Sequence, residues 1–203
     1  MAWRTAGVLM AGRLFYIMGP SGAGKDAVLQ GLMGLMVDDD CYWAPRLVTR
    51  PTMHKEACSV SVSLPEFERL EANGSLALAW RAHGLAYGVP RQIDDRLQAG
   101  CDVLINGSRA YLPEACRRYR DLLPVLLTVD NALLHQRLSS RGREGSEQIT
   151  ARLERNKQLS ALPSHAGANP VITVDNSGPI DHAVTMLYTH LRQSKTRRKD
   201  SCD

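Results

Sequence analysis

Short apolar runs alternate along the chain with stretches in which apolar residues recur every three or four positions. The runs predict buried strands, because they are a few residues long and end at glycine, proline or polar residues. The helical spacing is typical of amphipathic helices packed on a sheet. We predict strands at residues 13–18, 76–80, 101–105, 122–129 and 171–174, and a short extended segment at 46–50. We predict helices at 25–36, from Pro65 to the stop signal at Asn73-Gly74, and at 90–99, 108–119, 131–140, 146–160 and 180–191, and a turn at His83-Gly84.

This order of strands and helices predicts the fold class. Strands that alternate with helices favour an α/β fold in which a mainly parallel sheet carries helices on both faces. A length of 203 residues suits one such domain with a sizeable core. A hydrophobic content of 44% and a charged content of 23% are ordinary for a globular protein and leave this prediction unchanged.

Charge and cysteine content exclude several classes of protein. The net charge is +4, and part of it comes from the basic run at 195–199, which we interpret as a solvated tail, with nucleic-acid or membrane contact as the alternative. The five cysteines show no spacing typical of a disulfide framework or a zinc site. No apolar run approaches the roughly 18 residues of a membrane span. We expect a cytoplasmic protein that acts on a small molecule, not on nucleic acid or a membrane.

The segment between the first strand and the first helix carries the chemistry. It matches G-x-x-x-x-G-K, in which backbone N–H groups, the helix N-terminus and a lysine bind the phosphates of ATP. The position that usually holds Ser or Thr is an aspartate here, so this carboxylate either contacts Mg²⁺ or is merely tolerated. The predicted ATP-binding residues are Gly19, Pro20, Ser21, Gly22, Ala23, Gly24, Lys25 and Asp26, and Asp26 is the predicted metal ligand.

A cluster of arginines in the second half of the chain is the next candidate. Phosphoryl transfer needs positioning and charge neutralisation, which arginines on a mobile arm can supply. The alternative is a solvated basic face that pairs with neighbouring glutamates. The arginines concerned are Arg137, Arg141, Arg143, Arg152 and Arg155.

With these motifs in place, the chain resembles the guanylate-kinase-like branch of the nucleoside monophosphate kinases over residues 13–191. The matching motifs are the phosphate loop, Thr49-Arg50, Tyr87-Gly88, and the sequences Arg137-Leu138-x-x-Arg141-Gly142 and Ile149-x-x-Arg152-Leu153. The resemblance implies a P-loop NTPase domain at 13–192, an acceptor-binding region at about 46–90, an arginine-rich lid at about 137–156, and terminal extensions at 1–12 and 193–203. It also implies that ATP and Mg²⁺ are used and that Lys25, Arg137, Arg141 and Arg152 are catalytic.

Three positions depart from the guanylate kinases. Leu78 and Asn106 stand where that family has acidic residues, and Val89 where it has a hydroxyl. Without partners for the donors of guanine, GMP is disfavoured as a substrate. The chain resembles more closely the ribose 1,5-bisphosphate phosphokinases of phosphonate breakdown, in Gly-Lys-Asp at 24–26, in the segments 83–89 and 102–109, and in Ile93-Asp94. That family transfers the γ-phosphoryl group of ATP to ribose 1,5-bisphosphate, giving phosphoribosyl diphosphate (PRPP).

The resemblance implies an acceptor with two phosphates, for which cationic and hydrogen-bonding residues are needed. We predict Arg50 and Arg109 as phosphate ligands, Tyr87 as a hydrogen-bond donor and Asn106 as a ligand of a ribose hydroxyl. Asp94 is a candidate for a hydroxyl or hydrated Mg²⁺, with a plain helix-surface aspartate as the alternative. Alternative functions are a nucleoside monophosphate kinase of altered specificity and a catalytically silent binding module. The oligomeric state stays open, a homodimer included.

Overall fold

The computed structural model describes residues 12–36, 41–51, 57–140, 154, 165–166 and 169–200. Eleven strands and six α-helices lie in these ranges, and a short 3₁₀ helix at Arg109–Tyr111 precedes the fourth α-helix. The strands are β1 Leu14–Met18, β2 Cys41–Trp43, β3 Arg46–Val48, β4 Ser59–Ser61, β5 Leu76–Ala82, β6 Leu85–Pro90, β7 Asp102–Asn106, β8 Leu123–Thr128, β9 His165–Ala166, β10 Asn169–Pro170 and β11 Ile172–Asp175. The helices are α1 Lys25–Leu35, α2 Leu64–Ala72, α3 Gln92–Gln98, α4 Leu112–Arg118, α5 Asn131–Ser140 and α6 Ile180–Asp200.

The central sheet has five parallel strands in the order β11-β8-β1-β7-β2. All five residues of β1 are buried, since β1 lies in the middle of the sheet. Tyr16 faces a cluster with Ile93 of α3 and Leu112 of α4, whereas Ile17 faces a cluster with Leu29 of α1 and Leu187 of α6. Helices therefore cover both faces, and the predicted parallel α/β fold is confirmed.

A second sheet lies between α1 and α3 in the sequence. Its strand order is β4-β3-β6-β5, with β3 parallel to β4 and the other pairs antiparallel. The β5–β6 hairpin turns at His83 (φ 55°) and Gly84 (φ 73°), both in the left-handed conformation that two-residue hairpin turns favour. Phe67 of α2 is fully buried against one face of this sheet. The predicted turn at His83-Gly84 is confirmed.

Several predicted elements differ from the structure. Strands β2 and β4 escaped prediction because three residues are too few to show an alternating pattern. Pro90 ends strand β6, so the helix predicted at 90–99 begins only at Gln92. The helix predicted at 108–119 is divided into the 3₁₀ helix and α4, and the Ser108 side chain does not cap it.

The last helix is longer than predicted. Helix α6 does not end at Leu191 but continues to Asp200, into the predicted extension at 193–203. At the other end of the chain, Gly12 belongs to the predicted extension at 1–12, and its N–H group donates to the carbonyl of Leu97 in α3 at 2.7 Å. The helix predicted at 146–160 lies outside the described residues, except for Glu154, which is helical. Among the helices described, none is long and apolar enough to cross a membrane.

Candidate active site

The segment between β1 and α1 forms an anion-binding turn. Gly24 precedes α1 in the left-handed conformation (φ 84°), and no side chain caps the first N–H groups of the helix. Gly22 is also left-handed (φ 92°). The N–H groups at the start of an 11-residue helix carry the positive end of its dipole, which favours a bound phosphate. The local geometry therefore fits the phosphates of ATP.

Neighbouring side chains hold this loop closely. A Cβ atom on Gly22 would lie 2.8 Å from Leu134 of α5, and one on Gly24 would lie 2.6 Å from the side-chain nitrogen of Asn176. Nζ of Lys25 donates to the carbonyls of Gly19 (2.9 Å) and Pro20 (3.0 Å). The loop is thus packed between α5 and the end of β11, with the lysine ammonium folded back over it.

Asn176 is a residue of this site that the sequence analysis missed. It is buried directly after β11, and its Nδ2 donates to the carbonyl of Ala23 at 2.7 Å. The backbone carbonyl of Asn176 accepts a hydrogen bond from Nη2 of Arg137 at 3.2 Å. The other terminal nitrogen of Arg137, Nη1, is buried without a hydrogen-bond partner in the described part of the chain. Asn176 therefore connects the phosphate loop to an arginine predicted to be catalytic. A sequence signal existed, because polar residues just beyond parallel strands commonly line α/β sites.

Asp26 and Asn106 meet at the carboxyl edge of the central sheet. Nδ2 of Asn106 donates to Oδ1 of Asp26 at 2.6 Å, joining the first turn of α1 to the end of β7. Asn106 is buried, and its Oδ1 has no hydrogen-bond partner among the described residues. No cluster of three or more His, Cys, Asp or Glu side chains that could hold a metal occurs in the described ranges. A Mg²⁺ ion here would use Asp26 together with phosphate oxygens and water, a donor set that Mg²⁺ accepts.

The second sheet carries an aromatic stack next to this edge. The ring of Trp80 stacks on Tyr87 on one side and on Tyr111 of the 3₁₀ helix on the other, each at a centroid distance of 5.5 Å. Arg50 follows β3, and its carbonyl accepts from the Ser61 hydroxyl at 2.7 Å. The stack connects the predicted acceptor-binding residue Tyr87 to the turn that follows β7.

Arg109 begins that turn, three residues after Asn106. Burial lowers the pKa of its guanidinium, which still remains charged near neutral pH. The preceding residues are fixed by Tyr16, whose hydroxyl accepts from the N–H of Ser108 (2.8 Å) and donates to its carbonyl (2.9 Å). A Cβ atom on Gly107 would lie 2.1 Å from the Tyr16 ring. The backbone that leads into Arg109 is thus held in place at the carboxyl edge of the central sheet, where Asp26 also lies.

Asp94 lies in a different environment. Its carboxylate accepts from the Tyr119 hydroxyl at 2.5 Å and from Arg118 at 3.4 Å, and pairs with Arg91 at 3.5 Å. Burial, and then this hydrogen bond, raise the pKa of Tyr119 to about 12. Tyr119 follows α4 and leads to the start of β8, at the edge of the sheet away from the phosphate loop. These contacts favour the alternative of a helix-surface aspartate, and an acceptor role for Asp94 stays a prediction.

Comparisons with known proteins identify the family. Ribose 1,5-bisphosphate phosphokinase PhnN of Pseudomonas fluorescens is 47% identical over 179 residues, which is 88% of this chain and 94% of that protein. The protein of the same name from Yersinia pestis is 46% identical over 177 residues, covering 86% and 89% of the two chains. The chain belongs to the ribose 1,5-bisphosphate phosphokinase family. A scan against protein-family models gives no match.

Solved structures support the fold of this phosphokinase family member. A guanylate kinase from Anaplasma phagocytophilum superposes with a TM-score of 0.68 at 19% identity, covering 91% of this chain and 87% of that one. A gluconokinase from Sinorhizobium meliloti 1021 superposes with a TM-score of 0.54 at 17% identity, covering 96% and 99%. The predicted guanylate-kinase-like P-loop fold is thereby confirmed.

The departures from guanylate kinases are visible in the fold of the phosphokinase. Leu78 and Val89 are direct cross-strand partners on β5 and β6, both about 1% exposed, and they pack with Ile93. Neither side chain can accept a hydrogen bond. The predicted catalytic residues Arg141 and Arg152, and with them Arg143 and Arg155, lie outside the described residues.

Proposed function

We propose that this chain transfers the γ-phosphoryl group of ATP to the 1-phosphate of ribose 1,5-bisphosphate, producing PRPP and ADP, as a step in phosphonate breakdown. The contact between Asp26 and Asn106 is the observation that carries the proposal beyond the family name. It joins the loop that suits the phosphates of ATP to the strand end next to Arg109, so both substrates would meet at one edge of the sheet.

The chemistry needs little covalent help from the protein. An oxygen of the 1-phosphate, already ionised near neutral pH, forms a bond to the γ-phosphorus, and the bond from that phosphorus to the bridging oxygen of ADP breaks. The electron pair leaves with ADP, and no strong general base is required. The residues therefore have to align the two phosphates and neutralise their charge.

Apart from Asp94, each residue predicted to be catalytic or to bind a substrate has a role in this alignment. Lys25 and the backbone N–H groups of residues 19 and 21–26 bind the phosphates of ATP. Arg137, close to the loop through Asn176, stabilises the charge of the transferred group. Arg141 and Arg152 would act from the lid. Asp26 would hold Mg²⁺, which supplies charge neutralisation between the phosphates when bound. Arg50, Arg109 and Tyr87 bind the acceptor, and Asn106 can offer its Oδ1 to a ribose hydroxyl.

Phosphorus NMR tests the reaction. The protein is incubated with ATP, Mg²⁺ and ribose 1,5-bisphosphate, and the expected products are PRPP and ADP in equal amounts. The Lys25→Ala variant is the control for contaminating kinases and should form PRPP at least about 100-fold more slowly. Formation of ADP with GMP, but not with the sugar bisphosphate, would show that the chain is a nucleotide kinase instead.

A further inference from the structure

Arg46 is a charged residue of the second sheet to which the sequence analysis gave no role. It is the first residue of β3, which lies between β4 and β6. Successive residues of a strand face opposite sides, and Leu47 packs with Phe67 of α2. Arg46 therefore points to the other side of the sheet. Its guanidinium carbon lies there, 5.5 Å from the ring centre of Tyr87.

That side of the sheet faces the candidate active site. Leu78 of β5 and its cross-strand partner Val89 of β6 join the same core cluster as Met18 of β1 and Ile105 of β7. Trp80, which pairs with Tyr87, belongs to this cluster too. The backbone of Arg46 is also joined to the central sheet through Cys58. Its N–H donates to the carbonyl of Cys58 at 2.8 Å, and the Cys58 thiol donates to the carbonyl of Trp43 in β2 at 3.2 Å.

The charge of Arg46 is poorly compensated by the residues that the structure describes. Among them, its buried Nε has no hydrogen-bond partner, and Nη2 makes one long contact of 3.5 Å to the Ser59 hydroxyl. Within the described ranges, no ion pair joins Arg46 to an aspartate or glutamate. A guanidinium that is partly buried without a carboxylate is unfavourable in the free protein, so its position suits a bound anion.

We propose that Arg46 binds one of the two phosphates of the acceptor. The proposal rests on the proposed function, which requires an acceptor with two phosphates. The planar guanidinium can donate two parallel hydrogen bonds to a phosphate, and stacking on Tyr87 fixes the plane of the group. Arg50 lies four residues further along the same segment, so Arg46 adds a cationic ligand on the side of the sheet that carries Tyr87. Together with Arg50 and Arg109, this third cationic ligand would favour an acceptor with two phosphates over an acceptor with one.

Binding measurements on three variants test the proposal. Arg46→Gln should weaken the binding of ribose 1,5-bisphosphate, measured by calorimetry without ATP, by about 10- to 100-fold, because a charge-assisted hydrogen bond is lost. The affinity of Arg46→Lys for ribose 1,5-bisphosphate should lie between those of Arg46→Gln and the wild type. The lysine ammonium keeps the positive charge but cannot donate two parallel hydrogen bonds to one phosphate. The KM for ATP should change by less than about twofold. The matched control is Arg81→Gln, because Arg81 lies on the same sheet over the Phe67 ring and pairs with Glu71; its binding should equal that of the wild type.

Thermal unfolding of the ligand-free variants separates binding from a structural role. Arg46→Gln should be at least as stable as the wild type, because the charge it removes has no carboxylate partner in the described structure. If Arg46→Gln binds the sugar bisphosphate as tightly as the wild type, or if it loses stability and ATP binding together, the proposal is wrong. If the wild type itself neither binds nor phosphorylates ribose 1,5-bisphosphate, the proposed function fails, and the role of Arg46 fails with it.

Discussion

Asp26 and Asn106 lie 80 positions apart in the sequence and share one short hydrogen bond. Phosphate loops usually carry Ser or Thr at the position of Asp26, and the resemblance to guanylate kinases places an acidic residue at the position of Asn106. In this chain the carboxylate belongs to Asp26 on the phosphate loop, and its hydrogen-bond partner on β7 is the neutral side chain of Asn106. The site therefore keeps one negative group at this point, but supplies it from the phosphate loop instead of from β7.

Exchanging the two residues tests whether they act as a pair. Asp26→Asn removes the carboxylate, and Asn106→Asp places two carboxylates side by side, so each single variant should lose about 10-fold or more in kcat/KM. The double variant D26N/N106D restores one carboxylate and one amide, and it should recover at least half of the loss on a logarithmic scale. The readouts are kcat/KM and the Mg²⁺ concentration that gives half-maximal rate. Losses that simply multiply in the double variant would show that the two residues act independently.

Single residues differ in how far the sequence could predict them. Residues 19–26 were predictable because their chemistry is local: glycines, a lysine and a helix start are contiguous. The contact of Asp26 with Asn106 was not, since it depends on the register of β1 with β7. The positions of Arg46 and Asn176 in the site could not be predicted for the same reason. A lone arginine or asparagine has no signal of its own until the strand pairing shows which face or edge it occupies.

At the scale of elements, a buried ion pair connects three of them. Nε of Arg13, just before β1, donates to Oδ1 of Asp102 on β7 at 3.0 Å, and Nη1 donates to the carbonyl of Leu191 on α6 at 2.7 Å. The backbone N–H of Arg13 donates to the same carboxylate at 2.9 Å. Both side chains are less than 5% exposed. This network fixes the start of the two neighbouring central strands and anchors the middle of the last helix.

Breaking this pair should be costly. Asp102→Asn leaves a buried guanidinium without its counter-charge, so we expect a loss of about 3–5 kcal/mol in the free energy of unfolding, measured by urea titration. The control is Glu71→Gln, which disrupts the more exposed pair with Arg81 and should cost less than about 1 kcal/mol. A loss for Asp102→Asn no larger than for the control would mean that the pair contributes little to stability.

Most strands of the central sheet were predictable, whereas strand β6 of the second sheet was not. The strand predicted at 122–129 is present as β8 despite Pro124, because Pro124 lies near its start, before the pairing with β11 begins at Val125. Strand β6 was missed because Gly88 and Pro90 are poor strand formers. Its pairing with β3 and β5 compensates for this weak local preference.

At the scale of the whole molecule, the proposed function uses both sheets. The central sheet would supply the phosphate loop, Asn106 and Arg109, while the second sheet would supply Arg46 and Tyr87. The stack of Tyr87, Trp80 and Tyr111 links them, because Tyr111 follows β7 and the other two rings lie on the hairpin. The proposed acceptor site would therefore be assembled from residues distant in sequence, so its composition could be predicted only from a family resemblance.

The ratio of kcat/KM for ribose 1,5-bisphosphate to kcat/KM for GMP, measured with saturating ATP and Mg²⁺, tests the central claim most directly. Leu78 and Val89 are buried, apolar cross-strand partners that would leave the polar groups of guanine without hydrogen-bond partners, whereas the sugar bisphosphate would present two phosphates to the predicted arginines. We predict a ratio of about 1,000 or more in favour of ribose 1,5-bisphosphate. A ratio of one or below would contradict the account.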